Sequence, residues 1–579
     1  MESSPYQTKQ RLIALMCLST FVFFILFCRL FCLQIIDGKS LQAKATDQWT
    51  RDLPIIPARG QILDTNGKIL ASNKTAYTVY IRAKSVKNPE HVSQTLSQLL
   101  EVSYENVYKK ATNKGVSEVT LKRQVDEKVA DKIRQANLQG VYIASEPFRV
   151  YTYGNFLSQV IGYVSSDNSG QTGIEARYNK YLKGINGQIL TQSDLIGVEL
   201  TDKETIYQPG IDGLDLVLTI DATIQGVVEQ VLQMIMHTHT PKSAKCIVMD
   251  VTSGEILAMG IAPGIDLNNL PRDDLQTLLD NGRNTLVTDI YEPGSTFKVI
   301  TAAANIEEYS KGNVKAFSNT HVFNNANYRV VDSGKKISCW TSHKNGKHIN
   351  QTLADALNNS CNPIFTDIAL ALGKNTFYSY LDKFGFGKTT GVDITGEQAG
   401  ILVPQKSVTN GDLARIGFGQ SVAVTPLQLI NAVSCAVNGG LLMQPYLVKE
   451  IRQGSQLAQK FLPTIKNRAI SQQTSQQLAL MLEGVVKNGS GKQAYIEGYR
   501  VGGKTGTAQK FVNGQIAQGK YVSSFVGFFP ANQPKYSCIV IVDEPTGQHY
   551  GSTVAAPWAK IIFQQIINYK NIPPVEQQT

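Results

Sequence analysis

The sequence predicts an α+β, multidomain protein held to a membrane by a single N-terminal helix. Three observations carry this. At 579 residues the chain exceeds one ordinary domain and suggests about three or four. Residues 12–33 form an almost wholly apolar run of 22 residues, and no second run of that length follows. Beyond it, strand-like and helix-like segments alternate without a nucleotide-binding motif. Apolar content of 42% and charged content of 18% are globular values and exclude a disordered chain. The net charge of +10, from 56 basic and 46 acidic residues, is spread out, with no dense Lys/Arg block interleaved with aromatics. That pattern argues against nucleic acid and fits a protein beside anionic lipid or an anionic wall polymer.

In chain order, residues 1–11 form a short tail and 12–36 the anchor. The apolar run spans about 33 Å as a helix, enough to cross a hydrocarbon core. Lys9 and Arg11 just before it favour a cytoplasmic N-terminus. The run is too long for a signal peptide, and Gln34-Ile35-Ile36-Asp37-Gly38-Lys39 offers no small-x-small cleavage site. Arg29 lies near the outer end, where it can snorkel to the interface or meet a partner helix. Residues 37–235 read as a mixed α+β pedestal. Within it, Asn66-Gly67 turns a hairpin between Arg59 and Ala71, and 88–108 and 124–137 read as helices. Leu214–Asp221 reads as a strand and 222–236 as a helix, so the boundary of the large domain falls near 205–240. Residues 236–570 form that domain, opening on a hairpin from Lys245 to Met259, and 571–579 form a tail. The large domain is long enough for a substantial core.

Eight cysteines, with no CxxC pair, indicate neither a zinc cluster nor a disulfide scaffold, and none of the seven histidines sits in an HExxH. His237-Thr238-His239 is read as a polar turn before Pro241. No metal and no cofactor are expected.

The chemistry concentrates in three short motifs. In Tyr291-Glu292-Pro293-Gly294-Ser295-Thr296-Phe297-Lys298, Pro293-Gly294 breaks the chain and a helix-compatible run follows. Ser295 and Lys298, three residues apart, then share a helix face. A serine hydroxyl needs a base to become a nucleophile, and a lysine serves if its pKa is depressed. Ser360-Cys361-Asn362 follows after 65 residues and Lys504-Thr505-Gly506-Thr507 after a further 144. Each motif alone is weak: Ser333-Gly334-Lys335-Lys336 repeats the first pattern in a polar turn, and Ser166-Asp167-Asn168 resembles the second. The ordered set is what a serine acyl-transferase needs. Ser295 is the nucleophile, Lys298 its base and Ser360 a proton route to the leaving amine. Asn362 orients Lys298 and binds substrate backbone. Lys504 is a cation that depresses the pKa of Lys298 and attracts a carboxylate, which Thr505 and Thr507 would bind. Gly506 would let substrate approach the strand backbone, and the N–H groups of Ser295 and Thr507 would form the oxyanion hole.

This set resembles the penicillin-binding protein and serine β-lactamase superfamily, whose motifs are S-x-x-K, S-D-N and K-T-G; Ser-Cys-Asn here replaces Ser-Asp-Asn. Ala58–Gly67 (Ala-Arg-Gly-Gln-Ile-Leu-Asp-Thr-Asn-Gly) and Gly170-Gln171-Thr172-Gly173-Ile174-Glu175 resemble the N-terminal signatures of class B penicillin-binding proteins. Gly417-Phe418-Gly419-Gln420, Thr425-Pro426-Leu427-Gln428 and Gly527-Phe528-Phe529-Pro530 extend the likeness to most of the chain. Gln48–Pro54, and Cys339-Trp340 with Cys361, are most similar to the division and stage V sporulation transpeptidases. The resemblance implies a transpeptidase domain built on an antiparallel sheet with helices on both sides. It implies D,D-transpeptidation of peptidoglycan stem peptides through a Ser295 acyl-enzyme, and covalent reaction with β-lactams. It also implies a multi-spanning SEDS-type glycan polymerase as partner, contacted through the anchor and pedestal, with Arg29 and the Arg59 hairpin as candidates. A β-lactamase would need neither anchor nor pedestal. A β-lactam sensor usually has more membrane helices, and a silent scaffold would not need all five polar residues. Cys361 lies between two motif residues, 22 positions after Cys339. A disulfide there would act as a redox switch; two buried free thiols is the competing reading.

Overall fold

The structure is a computed structural model and describes residues 5–41, 50–116, 118–192, 206–324, 326–332, 334–340, 348–512 and 515–574. Gln48, Trp49 and Ser333 lie outside them. Helix α1 (Pro5–Phe31) continues into a π-turn over Cys32–Ile36. The stretch Lys9–Ile36 has mean hydropathy 2.3 and is exposed along its length, and it is the one helix among the described residues long and apolar enough to cross a membrane.

The chain forms two compact units, each discontinuous: 1–58 with 74–148 and 184–212, and 59–73 with 149–183 and 213–579. The last crossing, between Asp212 and Gly213, falls inside the stretch 205–240. In the first unit the expected helix over 88–108 is two helices, Pro89–Leu100 and Tyr104–Thr112. Glu101, left-handed at φ 53°, ends the first, and Ser103 stands at the start of the second. Their apolar faces, with Leu96, Val107 and Ile133, close a small core.

In the second unit, helix α2 (Ala222–His239) starts where the Asp221 carboxylate accepts the backbone N–H of Thr223 at 3.0 Å. Strands β1 (Ser243–Asp250) and β2 (Ile256–Ala262) form the expected hairpin. Helices α3 (Lys298–Ser310), α4 (Leu353–Asn358), α5 (Asn362–Lys383) and α6 (Pro426–Val437) follow. Strands β3 (Gly502–Val512), β4 (Gln515–Phe529) and β5 (Tyr536–Asp543) and helix α7 (Ala556–Lys570) end the unit. The five strands make one antiparallel sheet in the order β2-β1-β5-β4-β3. Successive side chains alternate between its faces. Ile247, Val526, Ile539 and Ile541 join the core that holds α3, α5 and α6, while Cys246, Phe525, Val540 and Val542 pack with α2 and α7. This is the expected antiparallel sheet covered by helices on both sides, with β3 at its edge.

Within this unit, residues 59–73 and 149–183 are tied to each other by a buried ion triad. Glu175 accepts Arg59 Nε at 2.6 Å and Arg149 Nε at 2.7 Å, all three side chains being almost fully buried. Arg59 also reaches the Asn168 carbonyl and Asn179. The Arg59 side chain is therefore a structural cation, while residues 66–69 at the turn of its hairpin are exposed, and Ser166-Asp167-Asn168 is part of that structure. His237 and His239 lie in the last turn of α2, not in a turn outside it, because helical hydrogen bonding continues to His239. Residues two apart do not share a helix face, and His239 instead accepts the Trp558 indole N–H at 3.2 Å.

Candidate active site

Ser295 sits in a 3₁₀ turn, Gly294–Phe297, that leads directly into α3 at Lys298. The preceding residues are stitched to the segment 419–424. Tyr291 and Val424 exchange backbone bonds at 3.0 Å, the Gly294 N–H reaches the Gly419 carbonyl at 2.9 Å, and Glu292 accepts the Ser421 N–H at 2.8 Å. A Cβ at Gly419 would lie 2.0 Å from the Gly294 carbonyl oxygen, so only glycine permits this approach. This is the structural use of the Gly417–Gln420 motif.

Lys298 is fully buried and its Nζ is the hub of the site. It lies 3.0 Å from Ser295 Oγ, 2.8 Å from the Ser360 carbonyl, 3.1 Å from Ser360 Oγ and 2.7 Å from Asn362 Oδ1. Ser360 and Asn362 arrive from the loop between α4 and α5. Thr352 and Asp355 cap α4 reciprocally, and Pro363 opens α5. Ser360 has φ 55° in that loop, a costly conformation for a non-glycine residue. Lys504, also fully buried, donates to Ser360 Oγ at 2.9 Å, so this hydroxyl stands between two amines.

Burial lowers the pKa of Lys298 to about 8, outweighing the opposing pull of the Cys339 and Cys361 thiols. Lys504 is lowered well below its ordinary value, first by burial and then by repulsion from Lys298. Of the two causes expected at Lys298, burial and a nearby positive charge, burial is the one that lowers it. Two buried ammonium groups on one hydroxyl hold a single proton more readily than two. A neutral Lys298 has two N–H donors for the Ser360 carbonyl and Asn362 and a lone pair for the Ser295 hydroxyl.

These groups open on a cavity of about 340 Å³ lined by Ser295, Ser360, Asn362, Thr505 and Thr507. Lys504 and Gly506 do not line it. A Cβ at Gly506 would lie 2.5 Å from Ser524 Oγ and 3.0 Å from both the Pro293 carbonyl and Thr296 Cγ2. Glycine is required there by the nucleophile turn packing on β3, not by the space a substrate would fill. Ser490 also stands on the cavity wall, its Oγ 3.2 Å from Thr505 Oγ1. Tyr521 and His549 stand there too, stacked with ring centroids 4.0 Å apart. No motif marks them, because strand pairing and the chain reversal after β5 bring them in from distant positions.

Beside the site, Cys361 Sγ lies 4.0 Å from Cys339 Sγ, and Cys339 Sγ lies 3.6 Å from His348 Nδ1. All eight cysteines are free thiols. The donor atoms of Cys339, His348 and Cys361 lie within 4.8 Å of one another, the donor types that suit a zinc ion. The expectation of no metal rested on motif spacing, which cannot register a histidine 9 and 13 residues from its cysteines.

Residues 244–568 match the penicillin-binding protein transpeptidase domain, and 54–218 the penicillin-binding protein dimerisation domain. The chain is 39% identical to stage V sporulation protein D of Bacillus subtilis, over 100% of this chain and 88% of that protein. It is 27% identical to the peptidoglycan D,D-transpeptidase FtsI of Escherichia coli K12, over 94% and 89% of the two chains. Among solved structures, a peptidoglycan synthetase of Bifidobacterium adolescentis is similar with TM-score 0.72 at 25% identity, over 92% of this chain and 98% of that one. Penicillin-binding protein 3 of Mycobacterium tuberculosis, complexed with aztreonam, shares the fold with TM-score 0.69 at 23% identity, over 91% and 100%. The motif geometry, both domain matches and the full-length likeness agree: the chain belongs to the class B penicillin-binding proteins, and within them is most like the division and stage V sporulation transpeptidases.

Proposed function

We propose that this protein is a membrane-anchored peptidoglycan D,D-transpeptidase of division or spore-wall synthesis, acting through an acyl-enzyme on Ser295. The observation that carries this is the buried Lys298 amine, 3.0 Å from Ser295 Oγ and lowered to about 8 by that burial. Neutral Lys298 takes the Ser295 proton as Oγ attacks the penultimate D-Ala carbonyl of a stem peptide. The N–H groups of Ser295 and Thr507 hold the oxyanion. The D-Ala–D-Ala amide bond breaks as its nitrogen receives a proton from the Ser360 hydroxyl, which is replenished from the lysines on either side. The terminal carboxylate is held by Thr505 and Thr507, with Ser490 behind Thr505, and its charge favours protonated Lys504. An amine of a second stem then attacks the ester, loses its proton along the same path, and restores Ser295. A β-lactam presents the same carbonyl and carboxylate and acylates Ser295. Mass spectrometry of the penicillin-treated full chain should find one adduct, on Ser295, absent from Ser295→Ala. No adduct, or one elsewhere, would sink the assignment.

The anchor, with Lys9 and Arg11 inside, puts the catalytic unit outside the cytoplasm. Residues facing a SEDS-type glycan polymerase then belong to the anchor and pedestal, with Arg29 and the hairpin near Arg59 the candidates; co-purification unchanged by Arg29→Leu would remove the first. Outside the cytoplasm, Cys339 and Cys361 form a redox pair. A thiol–disulfide oxidant takes two electrons and two protons, and the S–S bond closes the 4.0 Å gap to about 2 Å. This pulls on Ser360 and Asn362 and slows acylation. A penicillin acylation rate that is the same with and without reductant would rule the switch out.

A further inference from the structure

A second cavity, of about 320 Å³, lies on the other side of the nucleophile turn in the same unit. The two spaces have different walls. On β3 and β4, Thr505, Thr507 and Tyr521 line the first cavity, while Ala508, Lys510 and Val522 line the second. No lining residue is shared. Lys245 of β1 enters the second cavity. Along the sheet it pairs with Ile541, Ile541 with Ser524 and Ser524 with Gly506. Three strand spacings put it about 14 Å from the strand that carries Lys504 to Thr507.

The charges around this cavity do not balance internally. Lys245 is 9% exposed and makes no hydrogen bond or ion pair among the described residues. The carboxylate of Glu292 accepts one bond, from the Ser421 N–H through Oε1, and makes no ion pair among the described residues, the Arg415 cation acting on it only from beyond ion-pair distance. The remaining ions are already committed. Lys510 is bound by Asp543 at 2.8 Å and by Glu544 at 2.7 Å, and Asp289 by Arg283 at 3.0 Å. Between the two unpaired charges the wall is apolar, formed by Ile290, Pro426, Val522 and Ile541. Burial acts against the Lys245 ammonium, with only the more distant Asp289 and Asp543 in its favour, and an unpaired charge in such a wall costs free energy until something pairs with it.

We propose that this cavity binds a small zwitterion, an amino acid or a dipeptide, with its carboxylate on Lys245 and its ammonium on Glu292. A neutral ligand would leave both charges unpaired. A simple anion would satisfy Lys245 and oppose Glu292, and a simple cation would do the reverse. Only a molecule carrying both charges removes both penalties, and its apolar part faces Ile290 and Val522. The site touches both halves of the catalytic region: Glu292 lies three residues before Ser295, and Ala508 directly follows Thr507. Occupancy therefore reports amino-acid or peptide abundance to the nucleophile turn. The inference goes beyond the proposed reaction and does not depend on it.

The test uses the full chain in detergent and isothermal titration with D-alanine, D-alanyl-D-alanine and N-acetyl-D-alanine, the last lacking the ammonium. Thr505→Val together with Thr507→Val removes the carboxylate subsite of the first cavity, so binding that persists in this variant belongs to the second. Saturable binding of at least one zwitterion is expected there, weakened tenfold or more by an added Lys245→Met and by removal of the ammonium. Glu292→Gln serves as the second variant should Lys245→Met melt early. No saturable binding of either zwitterion, or binding indifferent to Lys245→Met and Glu292→Gln, overturns the site. Equal binding of N-acetyl-D-alanine overturns the zwitterion. Penicillin acylation of the unsubstituted chain, followed in parallel, reads the Ser295 chemistry separately: zwitterion binding can fail while acylation stands, and the reverse.

Discussion

In the proposed mechanism Lys298 is the side chain that turns a common hydroxyl into a nucleophile. Its pKa, lowered to about 8 by burial, sets a sign. Below that pH it is protonated and cannot take the Ser295 proton. Penicillin acylation should therefore fall about tenfold per pH unit well below pH 8 and level off above it; a flat profile between pH 6 and 9.5 would contradict Lys298 as the base. Ser490 is the residue that no motif marks. With its Oγ 3.2 Å from Thr505 Oγ1, Ser490→Ala removes one hydrogen bond, about 0.5–1.5 kcal/mol. Acylation by carboxylate-bearing β-lactams should slow about two- to tenfold, with melting unchanged.

At the scale of elements, the site is a docking of three pieces: the nucleophile turn with α3, the α4–α5 loop, and edge strand β3. Gly506 is where turn and strand meet. Gly506→Ala puts a methyl group 2.5 Å from Ser524 Oγ and 3.0 Å from the Pro293 carbonyl, overpacking that costs about 1–3 kcal/mol. A lower melting temperature together with lost acylation is expected; acylation at the native rate would show the contact to be slack. The Arg59–Glu175–Arg149 triad makes the corresponding argument for the segments inserted ahead of the large domain. Glu175→Gln leaves two guanidinium groups buried without their carboxylate. Removing one partner of a buried pair costs about 3–5 kcal/mol, so this variant should unfold at clearly lower denaturant than the parent.

For the whole molecule, the proposed topology follows from the charge flanking one apolar helix. With Lys9 and Arg11 inside, protease added to intact spheroplasts should digest the chain beyond residue 36 and leave an N-terminal tag protected. A digested tag would reverse the topology. Periodicity, caps and motif order made the anchor, the main hairpins and the five polar residues Ser295, Lys298, Ser360, Asn362 and Lys504 legible in the sequence, because each depends on neighbours close in the chain or on a fixed order along it. The folded chain alone decided that the catalytic unit takes in residues 59–73 and 149–183, and that Gly506 and Gly419 serve packing. It likewise decided that burial sets the basicity of Lys298, that Ser490 stands behind Thr505 and His348 beside Cys339, and that Lys245 faces a second cavity with its charge unpaired. Those facts rest on desolvation and on contacts between residues far apart in the chain, and both come into being only when the sheet and its covering helices close.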